Sequence, residues 1–339
     1  MSPRNIPFRR KGTRSRTPLR RAAAVTIAAA ALLVPSTPAH AAVSLEPVTG
    51  FDNPGGLSMY VYRPADLPEK APVVVALHGC TQSAQDYADH SGLDKFADQN
   101  KFLLVFAEQS TTNNPNRCFN WFQPGDISRD QGEAASIRNM VDHAVATLGG
   151  DGNRVHVTGL SAGGAMTAAM LATYPDVFKS GAIMAGLPYK CATTMAEAFT
   201  CMNPGSDRTP AQWAELARSG NPSWTGPWPR VAIWHGTSDT TVVPSNADEL
   251  RDQWTAVHNL SQEPTRTSTL PPNNTQHEEY ADASGSVAVE VNRVPDIGHG
   301  TPVHPGPGPE DCGQTGQYYP DSICSSYYVT QFFGLHNGA

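Results

Sequence analysis

The segment around residue 161 has the spacing of a serine nucleophile. Gly159-Leu160-Ser161-Ala162-Gly163 follows a β-branched run at 155–158 and precedes an apolar helical pattern at 165–174. In the order strand, GxSxG, helix, the glycines permit a sharp turn that presents the serine hydroxyl at the end of the strand. The alternative is a small-residue turn without chemistry. The matching context on both sides favours a nucleophilic Ser161.

A serine hydroxyl attacks a carbonyl only when a base takes its proton and a carboxylate holds that base. When GxSxG ends a strand in this way, the acid and then the histidine follow later in the chain. Asp239 follows a buried-strand pattern at 231–234, and His299 lies between two glycines after a strand pattern at 287–294. We therefore expect Ser161, Asp239 and His299 to form a catalytic triad. The rival bases are His277 and His304, the rival acid is Asp296, and the alternative role of Asp239 is to cap a turn.

Acyl transfer also needs hydrogen-bond donors for the developing oxyanion. The backbone N–H of Ala162 directly follows the nucleophile, and that of Cys80 lies in an HG-type loop after the strand pattern at 73–77. We expect these two amides to form the oxyanion hole. A disulfide from Cys80 to Cys118 would also bring Trp121 beside the pocket, where an indole can pack on an apolar substrate group. The alternative is that Trp121 is an ordinary core aromatic.

Extended and helical patterns alternate along the chain. Extended patterns lie at 57–62, 73–77, 102–106, 155–158, 183–185, 231–234 and 287–294, and helical patterns lie at 134–148, 165–174 and 247–257. This order predicts one α/β domain at 42–339, an α/β-hydrolase fold with a largely parallel central sheet flanked by helices. Residues 187–228 interrupt the alternation, and we expect them to form a cap-like insertion or one wall of the pocket. No linker or further domain is expected after the apolar cluster at 327–335.

The first 41 residues contain eight basic residues, no acidic ones and a 13-residue apolar run at 22–34. With the small residues Ala39-His40-Ala41, this pattern predicts a signal peptide at 1–41, too short to remain as a membrane span. Sec and twin-arginine export both stay open. Cleavage would leave 16 basic and 31 acidic residues, a net charge of about −15. Such a surface disfavours nucleic acid and anionic membranes as partners and is compatible with a neutral ester.

All six cysteines lie after residue 41: Cys80, Cys118, Cys191, Cys201, Cys312 and Cys324. An even number in an exported chain favours disulfides, the alternative being buried free thiols. Closeness in sequence favours the pairs 191–201 and 312–324, which leaves 80 with 118. Zinc is disfavoured because the sequence has no CxxC or HExxH pair. The sequence also has no phosphate-binding or dinucleotide-binding loop, so we expect neither metal nor cofactor.

Several blocks of the sequence resemble the extracellular polyhydroxybutyrate depolymerase family of esterases. They are LHGCTQSAQDYADHSG, NPNRCFNWF, GDISRDQGE, RVHVTGLSAGGAMTAAMLATYPDVF, AGLPY and GHGTPV, in this order between about residues 57 and 333. Acetylxylan and feruloyl esterases have related catalytic domains. The resemblance implies the triad Ser161, Asp239 and His299, the oxyanion-hole amides of Cys80 and Ala162, and substrate contact by Trp121.

The resemblance further implies a secreted, extracellular serine esterase that hydrolyses a short-chain polyhydroxyalkanoate such as poly(3-hydroxybutyrate). Depolymerases that act on solid polyester commonly resemble this domain with an added linker and binding domain, which favours amorphous polymer, oligomers or soluble esters here. One alternative is an acetylxylan or feruloyl esterase that acts on plant cell-wall polysaccharide. A second is a non-catalytic polymer-binding protein, for which a complete triad would have no use.

Overall fold

The computed structural model describes residues 42–336, together with Gly12. The signal peptide predicted at 1–41 therefore lies, apart from Gly12, outside the described residues and stays a prediction. Within the described part of the chain, no helix has the length and apolar character needed to cross a membrane.

In the described residues, ten strands form one mixed sheet. They are β1 (Glu46–Val48), β2 (Ser58–Tyr62), β3 (Ala71–Leu77), β4 (Leu103–Glu108), β5 (Gly150–Leu160), β6 (Phe178–Met184), β7 (Arg230–Gly236), β8 (Arg266–Leu270), β9 (Thr275–Ala281) and β10 (Val287–Val294). Their order is β1-β2-β4-β3-β5-β6-β7-β10-β9-β8. The strands from β4 to β10 in this order are parallel, and two antiparallel strands follow at each end, β2 and β1 beside β4 and β9 and β8 beside β10.

Eight helices accompany the sheet in the described chain. They are α1 (Ala84–Ser91), α2 (Leu93–Asn100), α3 (Gly132–Thr147), α4 (Ala162–Thr173), α5 (Met195–Met202), α6 (Pro210–Arg218), α7 (Ser245–Val257) and α8 (Ser325–Phe332). Strand β3 shows how both faces of the sheet are covered: Val73 and Val75 enter one hydrophobic cluster, and Val74 enters the other. Burial on both faces explains the continuous β-branched run of this strand. This architecture is the α/β-hydrolase fold, as the sequence predicts.

The sequence patterns miss the elements that lack a strong apolar signature. Strand β8 lies at the edge of the sheet and is almost entirely exposed, so it has no buried face to mark it. Helices α1 and α2 have only eight residues each and mix charged with apolar positions. Strand β6 begins at Phe178, five residues before the predicted extended stretch at 183–185, because exposed Lys179 and small Gly181 break the apolar run.

The predicted insertion at 187–228 contains two helices, α5 and α6. Helix α6 begins with a capping box in which the Thr209 hydroxyl accepts from the backbone of Gln212 and the Gln212 side chain accepts from the backbone of Thr209. Its Trp213 is fully buried, and its indole donates to the carboxylate of Glu249 on α7. The insertion is therefore packed onto the hydrolase core rather than extended as a loop.

Three disulfides join the six cysteines as 80–118, 191–201 and 312–324, the pairs that closeness in sequence favours. The bond from Cys80 to Cys118 ties the loop after β3 to the segment that precedes α3. The bond from Cys191 to Cys201 fixes α5 to the start of the insertion. Disulfides of this number are typical of proteins that fold outside the reducing cytosol.

Candidate active site

Ser161 occupies the sharp turn between β5 and α4. Its backbone angles are φ 58° and ψ −116°, a left-handed conformation that is strained for a residue with a Cβ atom. The backbone N–H of Ser161 donates to the carbonyl of Met184 at 2.9 Å, and its carbonyl accepts from Ala165 at 2.8 Å. These bonds hold the strained turn, which presents the serine at the carboxyl edge of the sheet with 9% of the residue exposed.

Gly163 allows α4 to begin directly against the end of β3. A Cβ atom at this position would lie 2.2 Å from the carbonyl oxygen of Leu77 and 2.6 Å from that of His78, far inside van der Waals contact. Only glycine permits this approach. The second glycine of GxSxG therefore brings the turn with Ser161 next to the loop that carries the predicted oxyanion donor.

Asp239 uses its two carboxylate oxygens separately. Oδ1 accepts the backbone N–H groups of Thr241 at 2.8 Å and Val242 at 2.9 Å, while Oδ2 lies 2.7 Å from Nδ1 of His299. The residue thus caps its turn, which was the alternative role, and also holds an imidazole. Burial alone would raise the pKa of this carboxyl, but the hydrogen bond from His299, the electrostatic attraction to its imidazole and the backbone N–H of Val242 keep the pKa below its ordinary value. Asp239 is therefore ionised at neutral pH.

His235 holds the turn that contains Asp239. Its Nε2 lies 2.8 Å from the carbonyl oxygen of Val242, an acceptor only, so Nε2 carries the proton. Complete burial lowers the pKa of His235, which leaves this imidazole neutral beside Asp239. Gly236, at the end of β7, allows the loop before His299 to come close, because a Cβ atom there would lie 2.4 Å from the carbonyl oxygen of Ile297. The close approach of Gly236 to Ile297 brings the loop with Asp239 next to the loop with His299.

Ser161, His299 and Cys80 line one cavity of about 160 Å³. Leu160, Gln82, Met202, Thr241 and Tyr318 form much of the remaining wall. The ring of Tyr318 meets the ring of His299 edge-on at 6.3 Å between centroids. Because Nδ1 of His299 is held by Asp239, Nε2 is the nitrogen that remains to take a proton from Ser161. The structure therefore brings the predicted nucleophile, base and acid together at the carboxyl ends of the parallel strands.

The two predicted oxyanion donors lie at the same edge. Among the described residues, neither the backbone N–H of Cys80 nor that of Ala162 has a backbone or side-chain acceptor within the protein. Ala162 is the first residue of α4, where the N–H groups have no partner in the helix and the helix dipole favours negative charge. Both amides are thus available to an external oxygen, as an oxyanion hole requires.

His78 fixes the peptide group that carries the Cys80 amide. Its Nε2 accepts the backbone N–H of Gln109 at 3.1 Å, so Nδ1 carries the proton and donates to the carbonyl of Gly79 at 2.7 Å. This carbonyl and the Cys80 N–H belong to one planar peptide, so holding the oxygen also orients the N–H. Burial lowers the pKa of His78 to about 4, which keeps the ring neutral and able to accept from Gln109.

Glu133, at the start of α3, joins the surrounding segments. It accepts from the side chain of Gln109 and from both the backbone and the side chain of Asn120, the latter two at 2.8 Å. Burial, followed by the charge of Asp126, raises the pKa of Glu133 to about 8 against the effect of these donors. A chain of hydrogen bonds therefore runs from Glu133 through Gln109 to His78 and the loop with Cys80.

The structure does not bring Trp121 into the cavity wall. The residue is 6% exposed, belongs to the main hydrophobic cluster and packs edge-on against Phe122 at 5.6 Å. The disulfide from Cys80 to Cys118 is present, but the chain turns inward after Cys118, so the indole packs in the core. This position corresponds to the alternative, an ordinary core aromatic, and substrate contact by Trp121 stays a prediction.

The rival acid and bases lie elsewhere. His277 is held by Asn292 on the adjacent strand at 2.7 Å, and His304 contacts Asp321 at 3.0 Å. The side chain of Asp296 is exposed in the loop before His299. None of these three residues lines the cavity with Ser161.

Sequence reasoning missed several cavity residues and the hydrogen-bond chain behind the oxyanion loop. Met202 reaches the cavity from the insertion, Tyr318 from the long loop after β10, and Gln82 from the loop after β3. Gln82 accepts the Gly79 N–H at 2.7 Å and donates to Tyr319 at 2.9 Å, which braces the same loop. For Gln82 the sequence holds one signal of a place in the site, its position four residues after His78 in the loop of the predicted oxyanion donor. Within the described residues, no group of three or more His, Cys, Asp or Glu side chains is arranged to hold a metal ion.

Known proteins share both the sequence and the fold. Poly(3-hydroxyalkanoate) depolymerase C of Paucimonas lemoignei is 48% identical over 327 residues, which cover 96% of this chain and 78% of the relative. Acetylxylan esterase of Coprinopsis cinerea is 36% identical over 74% of this chain and 67% of the relative. The solved structure of acetyl xylan esterase from Aspergillus awamori superimposes with a TM-score of 0.72 at 26% identity, over 86% of this chain and 99% of that one.

The fold, the cavity at the sheet edge and these relatives define a carboxylic ester hydrolase of the α/β-hydrolase type. Residues 57–266 match the Esterase PHB depolymerase family, and the chain belongs to that family.

Proposed function

We propose that the protein is an exported serine esterase that hydrolyses the ester bonds of a short-chain polyhydroxyalkanoate, such as poly(3-hydroxybutyrate). The observation that carries the proposal is the cavity that Ser161 shares with His299, with Asp239 bound to His299 at 2.7 Å. The relative from Paucimonas lemoignei, a poly(3-hydroxyalkanoate) depolymerase by name, supports the substrate class.

Acylation proceeds by attack of Ser161 Oγ on the ester carbonyl carbon. Nε2 of His299 takes the hydroxyl proton as the new C–O bond forms, and Asp239 stabilises the resulting imidazolium through Nδ1. The amides of Cys80 and Ala162 donate to the oxyanion of the tetrahedral intermediate. When the intermediate collapses, the bond to the alcohol oxygen breaks, and His299 returns its proton to this leaving group. The product is an acyl-enzyme on Ser161.

Deacylation repeats the sequence with water in place of the serine hydroxyl. His299 takes a proton from water, the hydroxide oxygen adds to the acyl carbon, and the bond to Ser161 breaks as the serine regains its proton.

The cavity also has apolar walls that suit a short alkyl group beside the ester, formed by Leu160 and Met202. A short 3-hydroxyacyl unit has this combination of one ester and one methyl branch.

A second candidate is removal of acetyl or feruloyl groups from plant polysaccharide. The superposition on acetyl xylan esterase favours it, as does a polar cavity of about 310 Å³ that shares Gln82 and Tyr318 with the first. Asp86, His90 and Arg117 line this second cavity, and such groups can bind sugar hydroxyls. The catalytic steps would be identical, so only the substrate distinguishes the two candidates.

Incubation of the purified protein with a poly(3-hydroxybutyrate) suspension and, separately, with acetylated and feruloylated xylan tests the proposal. We expect the turbidity of the polyester suspension to fall and 3-hydroxybutyrate or its oligomers to appear. Constant turbidity together with release of acetate or ferulate from xylan would show that the second candidate is correct. The Ser161→Ala variant serves as the control, because it should release no product from any of the substrates.

Export is supported by the three disulfides and by the basic and apolar pattern of residues 1–41. We propose cleavage after Ala41, so that the mature chain begins at Ala42. The intact mass of the protein collected from culture medium tests this, since a mass that still includes residues 1–41 would contradict it. On this proposal residues 42–339 form the catalytic domain.

A further inference from the structure

Helix α5 exposes two large apolar side chains beside the catalytic cavity. Phe199 is 64% exposed and Met195 is 51% exposed, and among the described residues they are the large hydrophobic side chains that lie mainly in solvent. Their spacing of four residues places them next to each other on the helix surface. Contiguous apolar surface in solvent is typical of a binding site, whereas single scattered apolar side chains are ordinary.

The exposed pair continues into the active site. Met195, Phe199 and Met202 stand at positions i, i+4 and i+7, which share one side of an α-helix. Met202 lines the cavity that contains Ser161 and His299. One apolar strip therefore runs from open solvent along α5 to the cavity that Ser161 lines. We call Met195, Phe199 and Met202 the α5 strip.

The helix that carries the α5 strip is firmly held. Its buried residues Ala198 and Cys201 pack into the core, and Cys201 forms the disulfide with Cys191. The side chain of Asn246 donates to the carbonyl of Cys201 at 3.1 Å, and the backbone of Val243 donates to that of Met202 at 2.9 Å. The strip is thus a fixed surface rather than part of a mobile loop.

We propose that the α5 strip is the docking surface for an uncharged polyester segment whose neighbouring ester bond enters the cavity at Ser161. This inference rests on the proposed function and names how its polymeric substrate is held. Met and Phe side chains offer apolar contact and no hydrogen-bond donors, which suits a polyester backbone with short alkyl branches better than a hydroxylated polysaccharide. Continuity of the strip with the cavity identifies the occupant as substrate.

Adsorption to polymer particles tests the docking surface directly. In a Ser161→Ala background, which leaves the polymer intact, the fraction of protein depleted from solution by poly(3-hydroxybutyrate) particles is measured with and without M195S/F199S. We expect about tenfold weaker adsorption for the double substitution, since two apolar side chains lose their contact area. Phe199→Leu, which keeps an apolar side chain, and Thr200→Ser, at an exposed position on another side of α5, should adsorb as the parent does.

Equal adsorption of the M195S/F199S protein and its parent would overturn the proposal, as would a parent that does not adsorb. A parent dimer that becomes monomeric on M195S/F199S substitution, seen by sedimentation velocity, would assign the strip to self-association instead. Failure of the proposed function has a different signature: the protein with intact Ser161 would adsorb through the strip yet release no 3-hydroxybutyrate. In the active protein, the ratio of polymer turnover to p-nitrophenyl acetate turnover should fall about tenfold on M195S/F199S substitution.

Discussion

The two carboxylate oxygens of Asp239 have different roles, one in the turn and one at His299. An asparagine at this position would keep the first role and lose the second. In Asp239→Asn, the side-chain oxygen can still accept from Thr241 and Val242, so the turn persists. The amide NH₂ would then face Nδ1 of His299 and force the imidazole into the wrong tautomer. We expect kcat on p-nitrophenyl acetate to fall about 10⁴-fold with little change in KM. Asp296→Asn, at an exposed position in the loop before His299, is the control. A D239N protein with near wild-type kcat would refute the assignment of the acid.

Glu133 makes stability depend on pH in a direction unusual for a carboxyl. Its pKa of about 8 in the folded protein lies above the value of 4.5 for a free glutamate, so folding takes up a proton between these values. The contribution to stability is complete below pH 4.5 and is lost as pH rises through 8. The advantage of wild type over Glu133→Gln in unfolding free energy should therefore shrink by on the order of 3 kcal/mol from pH 5 to pH 8.

Urea unfolding of both proteins at pH 5, 6.5 and 8 measures this difference, and the protein with Glu133→Gln supplies the reference because its amide does not titrate. His78 and His156 act in the opposite direction below pH 6.5, but they are unchanged between the two proteins and cancel. A difference that stays constant with pH would show that Glu133 is ionised across the whole range.

At the scale of elements, the approach of α4 to the end of β3 determines the position of Ser161, the proposed nucleophile, and that of the loop with Cys80, the proposed oxyanion donor. In Gly163→Ala, the added methyl group would meet the carbonyl oxygens of Leu77 and His78 at 2.2 and 2.6 Å. We expect a loss of about 1–3 kcal/mol in unfolding free energy and loss of esterase activity, because the start of α4 must move away from the end of β3. Gly152→Ala is the matched control, since the nearest atom to its Cβ is 3.7 Å away. Equal activity of the two variants would contradict this account of the turn.

The disulfide between Cys80 and Cys118 restrains the loop that carries the proposed oxyanion donor. It closes 38 residues of chain, whereas the bond between Cys191 and Cys201 closes 10. In the chain-entropy account, C80S/C118S should lose about 4 kcal/mol of unfolding free energy and C191S/C201S about 3 kcal/mol. Guanidinium unfolding of the two double variants checks the order. A larger loss for the shorter loop would show that local packing, rather than loop closure, determines the effect.

For the whole molecule, the sequence predicts the parts of the fold that follow from burial. Strands such as β3 and β7 are covered on both faces, so their sequences are continuous apolar runs and reveal a parallel sheet. The chain order Ser161, Asp239, His299 then follows from the places where strands end. Edge strand β8 lacks this signal because almost none of it is buried. Helices α1 and α2 bury one face each, but eight residues are too few for that face to stand out as a pattern in the sequence.

The parts of the site that the sequence does not reveal depend on contacts between distant segments. Glu133, Gln109 and His78 lie in three separate segments, and only the folded sheet brings these segments within hydrogen-bond distance. Met202 reaches the cavity because the disulfide and the contacts of α5 orient the insertion. Trp121 shows the converse: its place in the sequence suggests the pocket, but packing with its aromatic neighbours places it in the core.

The central claim is that Ser161 is the nucleophile of this hydrolase, and a fluorophosphonate that reacts only with activated serines tests it most directly. Mass spectrometry of the labelled and digested protein should find one phosphonyl group per chain, on the peptide that contains Ser161. The adduct should be absent from Ser161→Ala and strongly reduced in His299→Ala, because the serine then lacks its base. An adduct on another residue, or none on the folded wild-type protein, would contradict the account.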